Sequence, residues 1–384
     1  MTSQAHRATL LVQRIGPYHH ARFQAAATEQ GELTVIEYRT VDQIYAWDEV
    51  RESSSYGRLR ADTSAQLIDQ LECSQPEVLV CVGYAVREIH HAMRWAARKG
   101  VPMVLCSDST AQDEPRVWWK ERIKRELVRL FSSGLVAGTR AADYLASLGF
   151  ERARLFTAWD VVDNAYFAEG ARRIREANKA SQPYFLTVAR FVPKKNLGGL
   201  LRAYARYVAI AGDAAWPLVL SGDGELRSQL AAQIQAAGLS NRVRLPGFVQ
   251  YGQLPELYAG AGAFILPSLS DQWGLVVNEA MAASVPVVVS EQCGCSSDLV
   301  VDWETGFRFS PTDEGKLAEI MVRVATMDDS TRRSMGDMAA KRVGVYSLQA
   351  FSDGLWWAVV EAKKRPSPRA RVSALLLGLL LVVR

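Results

Sequence analysis

The amino-acid sequence predicts an α/β protein of two Rossmann-like parallel-sheet domains facing an interdomain cleft. Three observations carry that expectation. At 384 residues the chain exceeds what one hydrophobic core usually organises, so two domains of ordinary size suit its length. Short Val/Leu/Ile-rich runs alternate with helical patterns throughout, and continuous apolar strands are those covered on both faces, hence parallel. The alternation pauses once, across a polar, charged stretch that ends at Pro183 and reads as a linker.

The strands expected before the pause are Thr9–Val12, Thr34–Tyr38, Val78–Val82, Pro102–Cys106 and Leu135–Ala137. Those after it are Phe185–Ala189, Leu218–Leu220, Val243–Leu245, Ala263–Leu266 and Pro286–Val289. The domains implied are 1–170, a linker at 171–183, a second domain at 184–345, a terminal helix at 346–364 packing back toward the first domain, and a tail at 365–384. Leu355, Trp356, Trp357 and Val360 give that helix large apolar groups needing burial. No repeat of 20–50 residues is visible.

Composition narrows the class. With 49% hydrophobic and 22% charged residues, the chain is that of a globular protein. Five cysteines, two of them in expected buried strands, suit a reducing cytosol, and Cys293-Gly294-Cys295 is too tight for a metal finger. The first residues lack the pattern of a signal peptide. The net charge of +4 comes from the tail: residues 363–384 hold six Lys/Arg and no acid, against 15 basic and 18 acidic residues in 181–362. A nucleic-acid role is therefore not expected.

Ligands of parallel sheets bind beyond the carboxyl ends of the strands. There the strand Phe185–Ala189 runs into A-R-F-V-P-K-K-N, placing Arg190, Lys194 and Lys195 where a diphosphate would be met; a solvated basic loop fits equally. Ser221-Gly222-Asp223-Gly224 follows the next strand, and Gly222 and Gly224 would let backbone approach an anion, although any βα turn can use glycines. Neither a dinucleotide nor a P-loop fingerprint is present.

The stretch S-L-S-D-Q-W-G-L-V-V-N-E-A-M, residues 268–281, separates two acids by eight positions. On a helix that is about 12 Å of rise, so Asp271 and Glu279 cannot form one acid–base pair. With Trp273 in the loop and Gly274 opening a helix, the N–H groups near Gly274, Leu275 and Val276 lie between the acids. Carboxylates that accept from sugar hydroxyls on either side of an anion site would suit a nucleotide sugar. The same residues also fit an N-capping Asp and a solvated helix Glu.

The ordered series A-R-F-x-x-K-K-N, S-G-D-G, L-P-G-F-V, D-Q-W-G-L-V-V-N-E-A-M-A and P-V-V-V-S resembles the donor-binding half of glycosyltransferase family 4, strongly over 183–345 and weakly before it. The resemblance implies a GT-B fold and sugar transfer from a UDP- or GDP-sugar with retention, independent of metal or other cofactor. It assigns the diphosphate to Arg190 and Lys195, the ribose to Glu279 and the donor sugar to Asp271, with Phe248 and Val249 near the base. Asp271 departs from the family's usual Glu. Asp108 stands where many members carry a His and is carried over as an acceptor contact. On the acceptor side Gly16, His19 and His20 follow the first strand, with surface histidines as the plainer reading; His90 and His91 read as structural.

The helix R-V-W-W-K-E-R-I-K-R-E-L-V-R-L-F, residues 116–131, puts Trp119, Ile123, Leu127 and Leu130 on one stripe. It packs on the sheet, contacts an anionic membrane surface, or both, as would 363–384, whose apolar run is too short to span a bilayer. Taken together the expectation is a glycosyltransferase acting on a surface polysaccharide or lipid-linked glycan, cytoplasmic or peripheral on the inner membrane face. A nucleotide-sugar epimerase and a non-catalytic binding subunit are the alternatives.

Overall fold

The computed structural model describes residues 6–27, 31–38, 47, 48, 50, 55–177 and 182–365. The chain divides into two units, residues 1–161 with 348–384, and residues 162–347. The expected tail from residue 366 onward lies outside the described residues.

In the first unit the strands are β1 (His6–Val12), β2 (Gly31–Glu37), β3 (Gly57–Arg60), β4 (Val78–Val82), β5 (Met103–Ser107), β6 (Ser133–Val136) and β7 (Leu155–Phe156). They form one parallel sheet in the order β3-β2-β1-β4-β5-β6-β7. This is the Rossmann-like order, and the buried Leu10, Val80, Leu105 and Leu135 form its centre. Between the strands run α1 (Pro17–Ala26), α2 (Ser64–Ser74), α3 (Arg87–Lys99), α4 (Trp118–Val128) and α5 (Thr139–Ser147). A Thr63–Gln66 capping box starts α2. The terminal helix Leu348–Lys363 lies in this unit. Its Trp356 is buried, donates from Nε1 to the Ala26 carbonyl at 2.9 Å and covers Gly31, where a Cβ would come within 2.4 Å of the ring. Trp357, by contrast, is exposed.

The second unit repeats the plan. Strands β8 (Tyr184–Val188), β9 (Leu218–Ser221), β10 (Val243–Gly247), β11 (Ala261–Leu266), β12 (Val287–Ser290) and β13 (Gly306–Phe309) form a parallel sheet ordered β10-β9-β8-β11-β12-β13. Around it pack α6 (Asn164–Ala177), α7 (Leu197–Ala211), α8 (Arg227–Ala236), α9 (Leu254–Ala259), α10 (Leu275–Ala282), α11 (Ser296–Leu299), α12 (Glu314–Thr326) and α13 (Asp329–Val343).

The expected boundary differs: residues 162–170, expected in the first domain, belong to the second unit. Residues 171–177, read as the start of a linker, complete α6 and pack in the second unit. Phe167 and Ala171 face inward four residues apart, while Glu169 pairs with Arg172 and Arg173 and Glu176 pairs with Arg172 on the outside. Arg175 donates to the carbonyls of Ala259 and Ala283, and Pro255 packs directly over Gly170. The charged run is thus the outer face of a helix.

Candidate functional site

In the second sheet β8 and β11 are neighbours, but the chain leaves them toward opposite sides of the sheet. Their following loops part at this switch point, the usual ligand crevice of such sheets. Backbone and side chains stitch the two loops together beside it. Leu269 N–H donates to the Lys194 carbonyl at 2.8 Å. Asn196 holds a left-handed φ of 52°, which Asn tolerates, and its Nδ2 donates to the carbonyls of Pro267 (3.2 Å) and Pro311 (2.8 Å). Lys195 Nζ pairs directly with Asp271 Oδ2, which Ser268 Oγ also reaches at 3.4 Å.

Both members of that pair are largely buried, so each holds a charge the other compensates. Asp271 therefore does not serve as a helix cap: Gly274 precedes α10, and no side chain caps it. The loop is backed by the segment after β12. Gly294 N–H donates to the Asp271 carbonyl and Cys295 N–H to that of Trp273. A Cβ at Gly294 would fall 1.7 Å from the Gln272 carbonyl oxygen, so only glycine fits between the buried free thiols of Cys293 and Cys295. The Cys-Gly-Cys triplet is thus a backing strip for the acidic loop.

Gly274 opens α10 at φ 100°, a conformation glycine adopts without penalty. Leu275 and Val276 are partly exposed, and N–H groups in a helix's first turn lack partners within the helix. Glu279, in the next turn, is 0% exposed rather than facing open solvent. Tyr258 of α9, equally buried, donates from Oη to Glu279 Oε2 at 2.7 Å. The Tyr258 ring packs edge-on against Phe167 and at a tilt against Phe264 of β11. Neither half of the plainer reading, a capping Asp and a solvated Glu, describes these residues.

The remaining positions of this unit fall into two groups. Arg190, Phe248 and Val249 are half-buried at the strand ends. Trp273 is instead buried: Nε1 donates to Asn278 Oδ1 at 3.0 Å and the ring packs on Tyr346, so it supports the loop from within. Gly222 and Gly224 have φ of 137° and 153°, and their Cβ positions would collide with the backbone of Ala189 and Phe191. Their first consequence is to let the β9 turn lie flat against the Arg190 loop.

In the first unit Gly16 precedes α1 and its N–H points at His19 Nδ1, 3.4 Å away. His19 stacks on Phe23, and loss of hydration, with Arg22 nearby, pushes its pKa down to about 3. His20 turns elsewhere, to Tyr56 Oη at 3.0 Å. Asp108 follows β5 and acts electrostatically on Arg22, a residue the sequence reading passed over. Arg22 is buried, pairs with Asp160 at 3.3 Å, donates to the Val161 carbonyl and lies over Trp159. Burial lowers its pKa, and Asp160 most strongly opposes that. Among the described residues no group of three or more His, Cys, Asp or Glu is arranged to hold a metal ion.

The family model described as Glycosyl transferases group 1 matches residues 171–342. The second unit carries a group 1 glycosyltransferase domain. Relatives of this chain include the alpha-D-kanosaminyltransferase of Streptomyces kanamyceticus, 27% identical over 63% of each chain. The O-antigen chain mannosyltransferase B of Escherichia coli is 32% identical over 40% of this chain and 39% of its own. The chain thus spans less than two thirds of the length of these relatives. Among solved structures, Anabaena HepE in complex with UDP and glucose superposes with TM-score 0.69 over 91% of this chain and 98% of its own, at 16% identity. Sucrose-phosphate synthase from Thermosynechococcus elongatus gives 0.72 over 91% and 97%, also at 16%. These likenesses establish the GT-B type of fold, with its two Rossmann-like sheets.

Proposed function

We propose that the protein is a retaining, metal-independent glycosyltransferase of family 4 that moves a sugar from a UDP- or GDP-sugar to a surface polysaccharide or lipid-linked glycan in the cytoplasm. The observation that carries this reading is the arrangement around the switch point of the group 1 domain. There Lys195 pairs with Asp271 beside the first turn of α10, and Glu279 is buried against Tyr258 one turn further. Lys195, Arg190 and the N–H groups of Leu275 and Val276 are the groups suited to a diphosphate leaving group, whose charge grows as the glycosidic bond breaks. Asp271 supplies a carboxylate acceptor for hydroxyls of the donor sugar, whereas Glu279, the expected ribose contact, is enclosed with Tyr258 behind the first turn of α10.

Incubating the protein with a panel of UDP- and GDP-sugars and following nucleotide release tests this. Turnover with one donor is expected, with and without a glycan acceptor, and Lys195→Ala should slow it by roughly 10²–10³-fold in kcat, as loss of one charge-stabilising donor does. Isomerised nucleotide sugar without release, or tight binding without turnover, would overturn it.

A further inference from the structure

Helix α4 and the turn after it bury only the C-terminal half of the apolar stripe in this sequence. Leu127, Val128 and Leu130 are buried, whereas Trp118 is 79% and Trp119 49% exposed, and Ile123 is exposed beside them. The charges are sorted too. Glu121 turns inward, accepting from Lys124 Nζ at 2.9 Å and from Tyr144 Oη, while Arg116 lies over the Tyr144 ring. With Glu121, Lys124, Leu127 and Val128 on the inner side, 100° per residue places Trp118, Trp119, Arg122, Ile123, Arg125 and Arg129 on the outer side. Glu126 is the one acid there, and Arg129 pairs with it at 2.9 Å. Lys120 lies 5.6 Å from the Trp119 ring.

We propose that this outer face of α4 is a seat for an anionic lipid bilayer. Two exposed indoles and an isoleucine supply the apolar and amphipathic groups that settle at the headgroup boundary, and the surrounding guanidinium groups match anionic headgroups. Arginine and lysine stems lie along the apolar surface while their heads reach phosphate. Among the described residues no helix is long and apolar enough to cross a membrane, so the contact is peripheral there. The placement follows from α4 alone and does not depend on which sugar, if any, is transferred.

Flotation of the full chain with vesicles tests it, comparing phosphatidylcholine alone with a phosphatidylcholine–phosphatidylglycerol mixture. The protein is expected to float with the mixed vesicles only. Trp118→Ala with Trp119→Ala, and separately Arg122→Glu with Arg125→Glu, should each lower the partition coefficient about tenfold or more. All four side chains are exposed, so circular dichroism and melting should stay unchanged; Trp118→Ala alone, with a smaller loss, guards against a folding defect in the double variant. Failure of the wild type to float overturns the proposal, as does wild-type flotation of either double variant, which would leave binding to the tail. Loss with the arginine variant but not the tryptophan variant would also overturn it, marking a site for any polyanion rather than a bilayer.

Discussion

Replacing Tyr258 by Phe removes one oxygen from a fully buried part of the second unit. Its Oη donates to Glu279 Oε2 at 2.7 Å, and neither residue has exposed surface, so water cannot take the place of the lost donor. The phenyl ring keeps its contacts with Phe167 and Phe264, which confines the change to the hydrogen bond. A bond to a charged acceptor contributes about 1.5–3 kcal/mol. In a unit the size of Val162–Ser347 each kcal/mol moves Tm by about 2–4 °C, so a fall of roughly 3–12 °C is expected. Tyr184→Phe is the internal control: its Oη donates at 2.6 Å to the uncharged Leu257 carbonyl, and about half that effect should follow. Differential scanning calorimetry reads both. A Tyr258→Phe shift below about 1 °C, or one smaller than that of Tyr184→Phe, would refute the view that Glu279 is a buried acceptor held by this hydroxyl.

Two further outcomes follow from other parts of the molecule. His19 has its pKa lowered from 6.5 to about 3, so the folded protein binds fewer protons there than the unfolded chain does between those values. Stability from this group is present above pH 6.5 and is lost as pH falls toward 3, and His19→Asn should flatten that slope in urea titrations across the range. Gly222→Ala places a methyl group 1.8 Å from the Ala189 carbonyl oxygen at a φ of 137°, so melting should drop by several degrees and nucleotide release should weaken with it.

The ten strands read from the sequence are all present, with ends within three residues of those expected, because buried parallel strands must be apolar on both faces. The three missed, β3, β7 and β13, lie at sheet edges, where one flank has no neighbour and the demand for a continuous apolar run relaxes. Helix α6 was legible only in hindsight of its packing: Gly170 and two inward residues carry its burial, and its charges hide the period. At the site, the order of motifs located Arg190, Lys195, Asp271 and Glu279 in one unit. It could not show that Lys195 and Asp271, 76 positions apart, pair with each other, or that Tyr258 holds Glu279, since both depend on which loops the sheet order brings together. Trp273 lies in the D-Q-W-G stretch expected to bind the donor, yet its indole finds Asn278 inside. Arg22 gave no motif at all; only the fold puts Asp160 beside it.

The pairing of Lys195 with Asp271 has a consequence for how this site is dissected. Substituting either residue strips its partner of a counter-charge in a largely buried place, so each single change registers a second, indirect loss. The two positions behave as one thermodynamic unit, and the sum of their separate effects should exceed that of the double replacement. A loss of activity at position 271 alone therefore mixes a missing sugar contact with a displaced ammonium, and only a cycle through both residues separates the two.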